Sequence, residues 1–306
     1  MLPSLSGANQ QYLADLQRMN SQLTDVTREL SSGLRVSSVA DDPFAVAPIM
    51  EDQTQITQLT QLQTNLNNLK PELETADSAL QQASQNIESA ISIASQSTSP
   101  LMDSKARAQL ALQVQGILTN LVNLSASSAG GRYIFSGDLD HQALYALDPT
   151  QPTGVKQLAT ATSTRSITDQ NGSQIWLSKT ASEIFDDRNP DTTPANDNVF
   201  AAVNSLLTAL QANDTAGAEA SIANLKSADE HLNQIMGYYG IGQSRVNDTI
   251  TQITSSLVSV QTDMSSLRDA DMTSAAVQLN QLTVQQQAAL SARAKLTGLN
   301  LFDFLA

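Results

Sequence analysis

The sequence predicts a mainly α protein: a long antiparallel helical bundle or coiled coil built from both chain ends, with a small β-rich inserted domain. Three observations predict it. Apolar residues recur at steps of three and four over most of the 306 residues, the mark of helices with one buried stripe. That period lapses between Phe135 and about Asn196, where short β-branched runs and four of the nine prolines gather. Cysteine is absent, so packing and not disulfides must hold the chain together.

Leu5, Tyr12, Leu16, Met19, Leu23, Val26 and Leu30 form the first stripe, with Asn9 in a seam position, and predict one amphipathic helix ending near Gly33. Asp42-Pro43 reads as the N-cap and first residue of the next helix. Its stripe, Leu59, Leu62, Leu66, Leu69, Leu73, Ala76, Leu80, Ala83, Ile87, Ala90 and Ala94, keeps phase throughout and describes a rod. Pro48 and Pro71 fall within this helical stretch; Pro71 removes one backbone donor and crowds the preceding turn, so a kink without a break is expected. Ser99 and Pro100 are read as N-cap and first residue of a third helix with seam Leu110, Val114, Ile117, Leu121 and Leu124, ended by Gly130 and Gly131.

Inside the insert, Thr160 to Thr168 and Gln174 to Leu177 flank the turn Asp169-Gln170-Asn171-Gly172, a hairpin pattern. Beyond it, Val199, Val203, Leu206 and Leu210 predict a short helix, and Ile222, Leu225, Leu232 and Met236 another, closed by Gly237 to Gly242. Val246, Ile250, Ile253, Leu257, Val260, Met264 and Leu267 hold heptad spacing, and weaker seams run through Leu279 and Leu282 to the apolar tail Leu299 to Leu305. Because the insert lies mid-sequence, early helices should run antiparallel to late ones. Three domains follow: 1–45 with 270–306, 46–135 with 197–269, and 136–196.

Composition narrows the function. Lys and Arg number 16 against 30 Asp and Glu, a net charge of −14, which removes the driving force for nucleic-acid binding. No apolar run approaches the ~18 residues that cross a bilayer, and Met1 to Leu13 lacks the basic and apolar regions of a secretory signal; no membrane partner is expected, and export would take another route. Ser, Thr, Asn and Gln make up about 37% of the chain against 15% charged residues, so the polar faces are mostly uncharged.

Candidate chemistry is sparse, and no catalytic residue, cofactor or metal is expected. Gly240-Ile241-Gly242-Gln243-Ser244-Arg245 lacks the third glycine and preceding strand of a dinucleotide site and reads as an inter-helix turn. Asp41-Asp42 and Asp186-Asp187 read as caps or solvated loop. His141 and His231 are too few and too isolated for a zinc site and are expected at the surface. Tyr133, Phe135 and Trp176 are expected to be the core of the insert.

Each buried Leu, Ile or Val in a seam is worth roughly 1.5–3 kcal/mol, and terminal helices with at most two partners cannot cover stripes that also include Leu301, Phe302, Phe304 and Leu305. Something outside the monomer should cover them, in a closed dimer or a repeating head-to-tail contact.

Two remote strings carry a resemblance. Leu30-Ser31-Ser32-Gly33-Leu34-Arg35-Val36-Ser37-Ser38 followed by Asp41-Asp42 resembles the segment that closes the first helix of bacterial flagellins, and Leu267-Arg268-Asp269-Ala270-Asp271-Met272 with the Gln-rich helix Gln278 to Gln287 resembles their C-terminal segment. Gly131-Arg132-Tyr133-Ile134-Phe135-Ser136-Gly137, Ser182-Glu183-Ile184-Phe185, Val199-Phe200 and the ending Leu301-Phe302-Asp303-Phe304-Leu305 are similar to the hook–filament junction branch of that family. The resemblance implies a non-enzymatic structural subunit, held before assembly by a flagellar export chaperone and exported unfolded without a cleavable signal. Outside the cell it would form a ring or layer of copies between hook-associated protein 1 and flagellin. It further implies an assembly interface of Leu16, Met19, Leu23, Val26, Leu30, Gly33, Arg35, Asp42, Leu279, Leu282, Leu299, Phe302, Phe304 and Leu305, with chain ends that order on assembly. The filament subunit itself is the alternative, and a non-flagellar coiled-coil adaptor a lesser one.

Overall fold

The computed structural model describes residues 4–164, 166–168, 174–176 and 178–298. Helices dominate: α1 (Ser4–Ser32), α2 (Pro43–Ser97), α3 (Ser104–Ser125), α4 (Ala181–Phe185), α5 (Val199–Gln211), α6 (Thr215–Arg268) and α7 (Met272–Gly298). Between α3 and α4 lie three two-stranded antiparallel ribbons: β1 (Ser128–Ala129) with β2 (Arg132–Tyr133), β3 (Tyr145–Leu147) with β4 (Val155–Gln157), and β5 (Ser166–Thr168) with β6 (Gln174–Trp176). The mainly α architecture with a small β insert is therefore as the periodicity predicts. The predicted hairpin is the β5–β6 pair, in register Ser166 to Trp176 and Thr168 to Gln174, while its turn lies outside the described residues.

The chain forms two compact units, residues 1–60 with 255–306 and residues 61–254. In the second, α2 and α6 run antiparallel: Gln63 Nε2 donates to Thr254 Oγ1 (3.1 Å), Gln243 Nε2 to the Leu73 carbonyl (3.2 Å), and Ser84 Oγ to Asp229 Oδ1 (2.7 Å). The in-phase stripe is fully buried at Leu66, Leu80, Ala83, Ile87, Ala90 and Ala94. Neither Pro48 nor Pro71 breaks α2. The insert joins this unit through aromatic packing. Phe135, Phe185 and Phe200 are wholly buried, Phe185 stacks on Phe200 at 5.7 Å, and Phe135 meets Phe185 and Tyr239 edge-on at 5.9 and 6.3 Å. Phe135 is thus core as expected and Tyr133 half-buried; the Trp176 side chain lies outside the described residues.

Several local expectations are corrected. The third helix is capped by Asp103, whose carboxylate accepts from the Ala106 N–H at 2.7 Å. Ser99 and Pro100 instead open a turn closed by the Met102 N–H on the Ser99 carbonyl (3.1 Å), a placement that suits the fixed φ of proline. That helix ends at Ser125, and Gly130 and Gly131, at φ 59° and 80°, form the two-residue turn between β1 and β2, where both central residues need positive φ. Gly237 to Gly242 closes nothing: α6 runs through it for 54 residues, because Leu232, Ile235, Tyr239 and Val246 stay buried at helical spacing and tertiary packing outweighs a glycine cost of about 1 kcal/mol each.

Two surface expectations also fail. His231 is only 14% exposed, with one ring nitrogen 2.9 Å from the Glu183 carbonyl and the other 3.5 Å from Asp197. Asp186 is not in a solvated loop; its side chain is 1% exposed and accepts from Arg188 Nε and Nη2 (3.0 and 2.9 Å) and from Asn198 Nδ2 (2.8 Å). His141, at 86% exposure, is on the surface.

Candidate assembly site

The first unit contains two separate apolar clusters. Val26, Ala275 and Leu282 are buried between α1 and α7, with Met19, Leu23, Leu30 and Leu279 packed against them. The helices are antiparallel: Tyr12 Oη donates to the Ala289 carbonyl (3.2 Å), Gln286 Nε2 to Asn20 Oδ1 (2.7 Å), and the Arg293 guanidinium to Asn9. The predicted seam position of Asn9 thus receives an arginine. The structure brings together six predicted residues, Met19, Leu23, Val26, Leu30, Leu279 and Leu282; Leu16 is half-buried outside the cluster. Leu299, Phe302, Phe304 and Leu305 lie outside the described residues. Of the clustered seam only Val26, Ala275 and Leu282 are buried, because one neighbour covers only part of a ~100° stripe.

The second cluster, Val36, Ala45 and Ile49 with Val46, Met264 and Leu267, sits beside the chain crossings between α1 and α2 and between α6 and α7. Gly33 ends α1 at φ 72°, a conformation that costs glycine little. Its N–H donates to the Glu29 carbonyl (2.8 Å), and its carbonyl accepts from the Ala270 N–H (2.9 Å). The Arg35 and Val36 N–H groups both donate to the Arg268 carbonyl (2.8 and 3.1 Å), and Leu34 bridges Asp269 in antiparallel fashion. Arg35 then spans both crossings, its guanidinium donating to the Leu267 carbonyl and to Asp42 Oδ2 (3.1 Å).

Carboxylates complete this clasp. Asp41 Oδ2 accepts from the Ser37 N–H (2.9 Å), the Ser37 hydroxyl (2.9 Å) and the Ser38 N–H (2.7 Å), while its other oxygen meets Arg28 at 2.9 Å. Asp42 caps α2 through the Phe44 and Ala45 N–H groups (both 3.2 Å), and Asp271 caps α7 through those of Thr273 and Ser274 (2.9 and 3.2 Å). Donors favour the charged form. The Ser37 and Ser38 donors hold Asp41 well below the usual carboxylate range, Arg35 lowers Asp42, the Ser265 hydroxyl lowers Asp269, and Ser274 lowers Asp271. Sequence reading missed Arg28 and Asp269 as clasp members; an ion pair across a turn has no periodicity to betray it, whereas the Asp271 cap followed by Ser274 had a readable pattern.

The two strings, more than two hundred residues apart, therefore meet in one clasp. Residues 4–139 match the bacterial flagellin N-terminal helical region and residues 222–305 the bacterial flagellin C-terminal helical region. The chain belongs to the bacterial flagellin family. Within it, this flagellin-family chain is 26% identical over 313 residues to flagellar hook-associated protein 3 of Escherichia coli, with 96% of each chain covered. The protein of the same name from Salmonella typhimurium is 26% identical over 320 residues, again with 96% of each covered. In fold, it resembles the crystal structure of flagellar hook-associated protein 3 from Legionella pneumophila, with a TM-score of 0.62 at 12% identity, covering 72% of this chain and 98% of that one. These relatives are flagellar proteins, and no described helix of this chain is long and apolar enough to cross a membrane.

Proposed function

We propose that this chain is a structural subunit of the bacterial flagellum, the junction layer that joins the hook to the flagellin filament. The observation that carries the reading is end-to-end similarity to flagellar hook-associated protein 3. The half-covered α1–α7 seam supports it physically: Met19, Leu23, Leu30 and Leu279 remain partly exposed against their cluster, and neighbouring subunits would bury the remainder. The partners are hook-associated protein 1 on one side, flagellin on the other, and further copies within the layer, with an export chaperone holding the chain before assembly. The location is extracellular, the work is packing without catalysis, and no cofactor is needed.

In this reading the assembly residues divide by role. Leu16, Met19, Leu23, Val26, Leu30, Leu279 and Leu282, with Leu299, Phe302, Phe304 and Leu305, meet neighbours, while Gly33, Arg35 and Asp42 keep the crossings in register within the subunit. The test is to add purified protein to isolated hooks that carry hook-associated protein 1, then flagellin, and to follow growth by electron microscopy. A limited layer at the hook tip, required before filaments extend, is the expected result. Long filaments of this chain alone would replace the reading with a filament subunit.

A further inference from the structure

Away from the clasp and the aromatic core, an open groove of about 530 Å³ runs between α2 and α3. Five amide side chains line it, Gln82, Gln85, Asn86, Asn120 and Asn123, and no lining residue is charged. Of the five, only Gln82 makes a side-chain hydrogen bond among the described residues, to Ser78 at 3.3 Å. A second depression of about 380 Å³, sharing Gln82 and Leu124, continues it, with Glu74 its one charged residue.

The groove is one of the chain's uncharged polar faces. At a net charge of −14, α3 carries no charge from Ala108 to Ser125, and α2 between Ser78 and Ser97 carries only Glu88, which does not line the groove. We propose that this groove is a contact between copies of this chain, receiving an uncharged helix face rich in Ser, Thr, Asn and Gln from a second copy. The inference rests on the assembling-subunit reading and names one of its contact surfaces.

Charge selects the occupant. Packed helices lie about 8–10 Å apart, close to one Debye length at physiological salt, so two strongly acidic copies approach most easily where neither presents a carboxylate. Each amide offers two donors and an acceptor, and four of the five have no side-chain partner among the described residues. A polar helix face satisfies them, whereas an apolar partner would bury them unpaired. A saccharide would find no aromatic ring among the lining residues on which to stack.

The absence of cysteine makes a clean test available. Asn123→Cys, the single thiol of the variant, is labelled with a thiol-reactive photo-crosslinker, and the labelled full-length chain is assembled onto isolated hooks and irradiated. A covalent dimer of this chain is expected. Adducts with another flagellar protein only, or none from assembled chain, overturn the groove contact and leave the subunit reading standing. Failure of the unmodified chain to join hooks overturns both. As a second arm, Asn86→Asp with Asn123→Asp places carboxylates in the groove and should lower incorporation at least about tenfold; Ala108→Glu with Gln115→Glu, exposed on α3 outside the groove, adds the same charge and should not. Equal incorporation of the two pairs counts against the proposal. Circular dichroism of each variant verifies that these substitutions, at exposed positions apart from the half-buried Asn86, leave the helices intact.

Discussion

The α1–α7 pair and the aromatic centre of the middle unit solve the same problem with different means. Around Phe135, Phe185, Phe200 and Tyr239, side chains from the insert, α4, α5 and α6 enclose one another to 0–2% exposure. Between α1 and α7 the seam has one neighbour, and the lowest exposures are 4–6%, at Val26, Ala275 and Leu282. The difference teaches that a single helix partner covers only part of an apolar stripe, so the middle can be stable alone while the ends depend on neighbours.

The largest expected effect is in the middle. Phe200→Ala should cost about 3–5 kcal/mol and lower the denaturant midpoint of the main unfolding transition; a change under about 1 kcal/mol would mean the aromatic cluster is not what holds the insert. Proteolysis sharpens the comparison next. A brief digest of the monomer should remove roughly the first 40 and last 35 residues and leave a resistant middle, with fragment masses as the readout. Uniform resistance would break the contrast between the regions. Leu282→Ala, deleting a side chain from the thin seam, should leave the main transition within about 0.5 kcal/mol of the parent, since the ends contribute little to it, yet weaken assembly on hooks.

Acid should loosen the clasp before the middle. Asp41, Asp42, Asp269 and Asp271 all have lowered folded-state values. Their stabilisation is therefore complete above the unfolded carboxylate value near 3.9 and is lost as pH falls below it through the lowered values. Hydrogen exchange at the N–H groups of Ser37 and Ser38 should rise in that window while those of α3 stay protected; simultaneous loss would contradict a separate clasp. The smallest effect is Gly240→Ala, where a Cβ meets nothing within 4 Å on an unbroken helix. A gain of about 0.4–1 kcal/mol is expected, and a loss would mean the glycine stretch bends α6 after all.

Legibility followed the length scale of each signal. The stripe from Leu59 to Ala94 could be read because a long helix repeats its pattern many times, and the α1–α7 pairing because Leu23, Val26, Leu279 and Leu282 lie on complementary seams. Boundaries were read less well. Ser99-Pro100 and Asp103 are both acceptable starts for α3, and the choice fell to the turn that Met102 closes on Ser99. The run from Gly237 to Gly242 looked like a stop because its cost is local, while what overrides it, Tyr239 against Phe135 at 6.3 Å, joins residues a hundred positions apart.

Periodicity and two remote strings by themselves determined the helical class, the antiparallel return of the chain, the β insert and the family. Those properties rest on repeated short-range spacing, which the chain carries in every turn. Only the tertiary structure decided that Arg35 and Asp41 work inside the subunit as a clasp, that Asp186 is buried and paired with the exposed Arg188, and that an uncharged groove opens between α2 and α3. Each depends on which single side chains come within a few ångströms once the chain has folded, and the repeating apolar pattern does not encode such encounters.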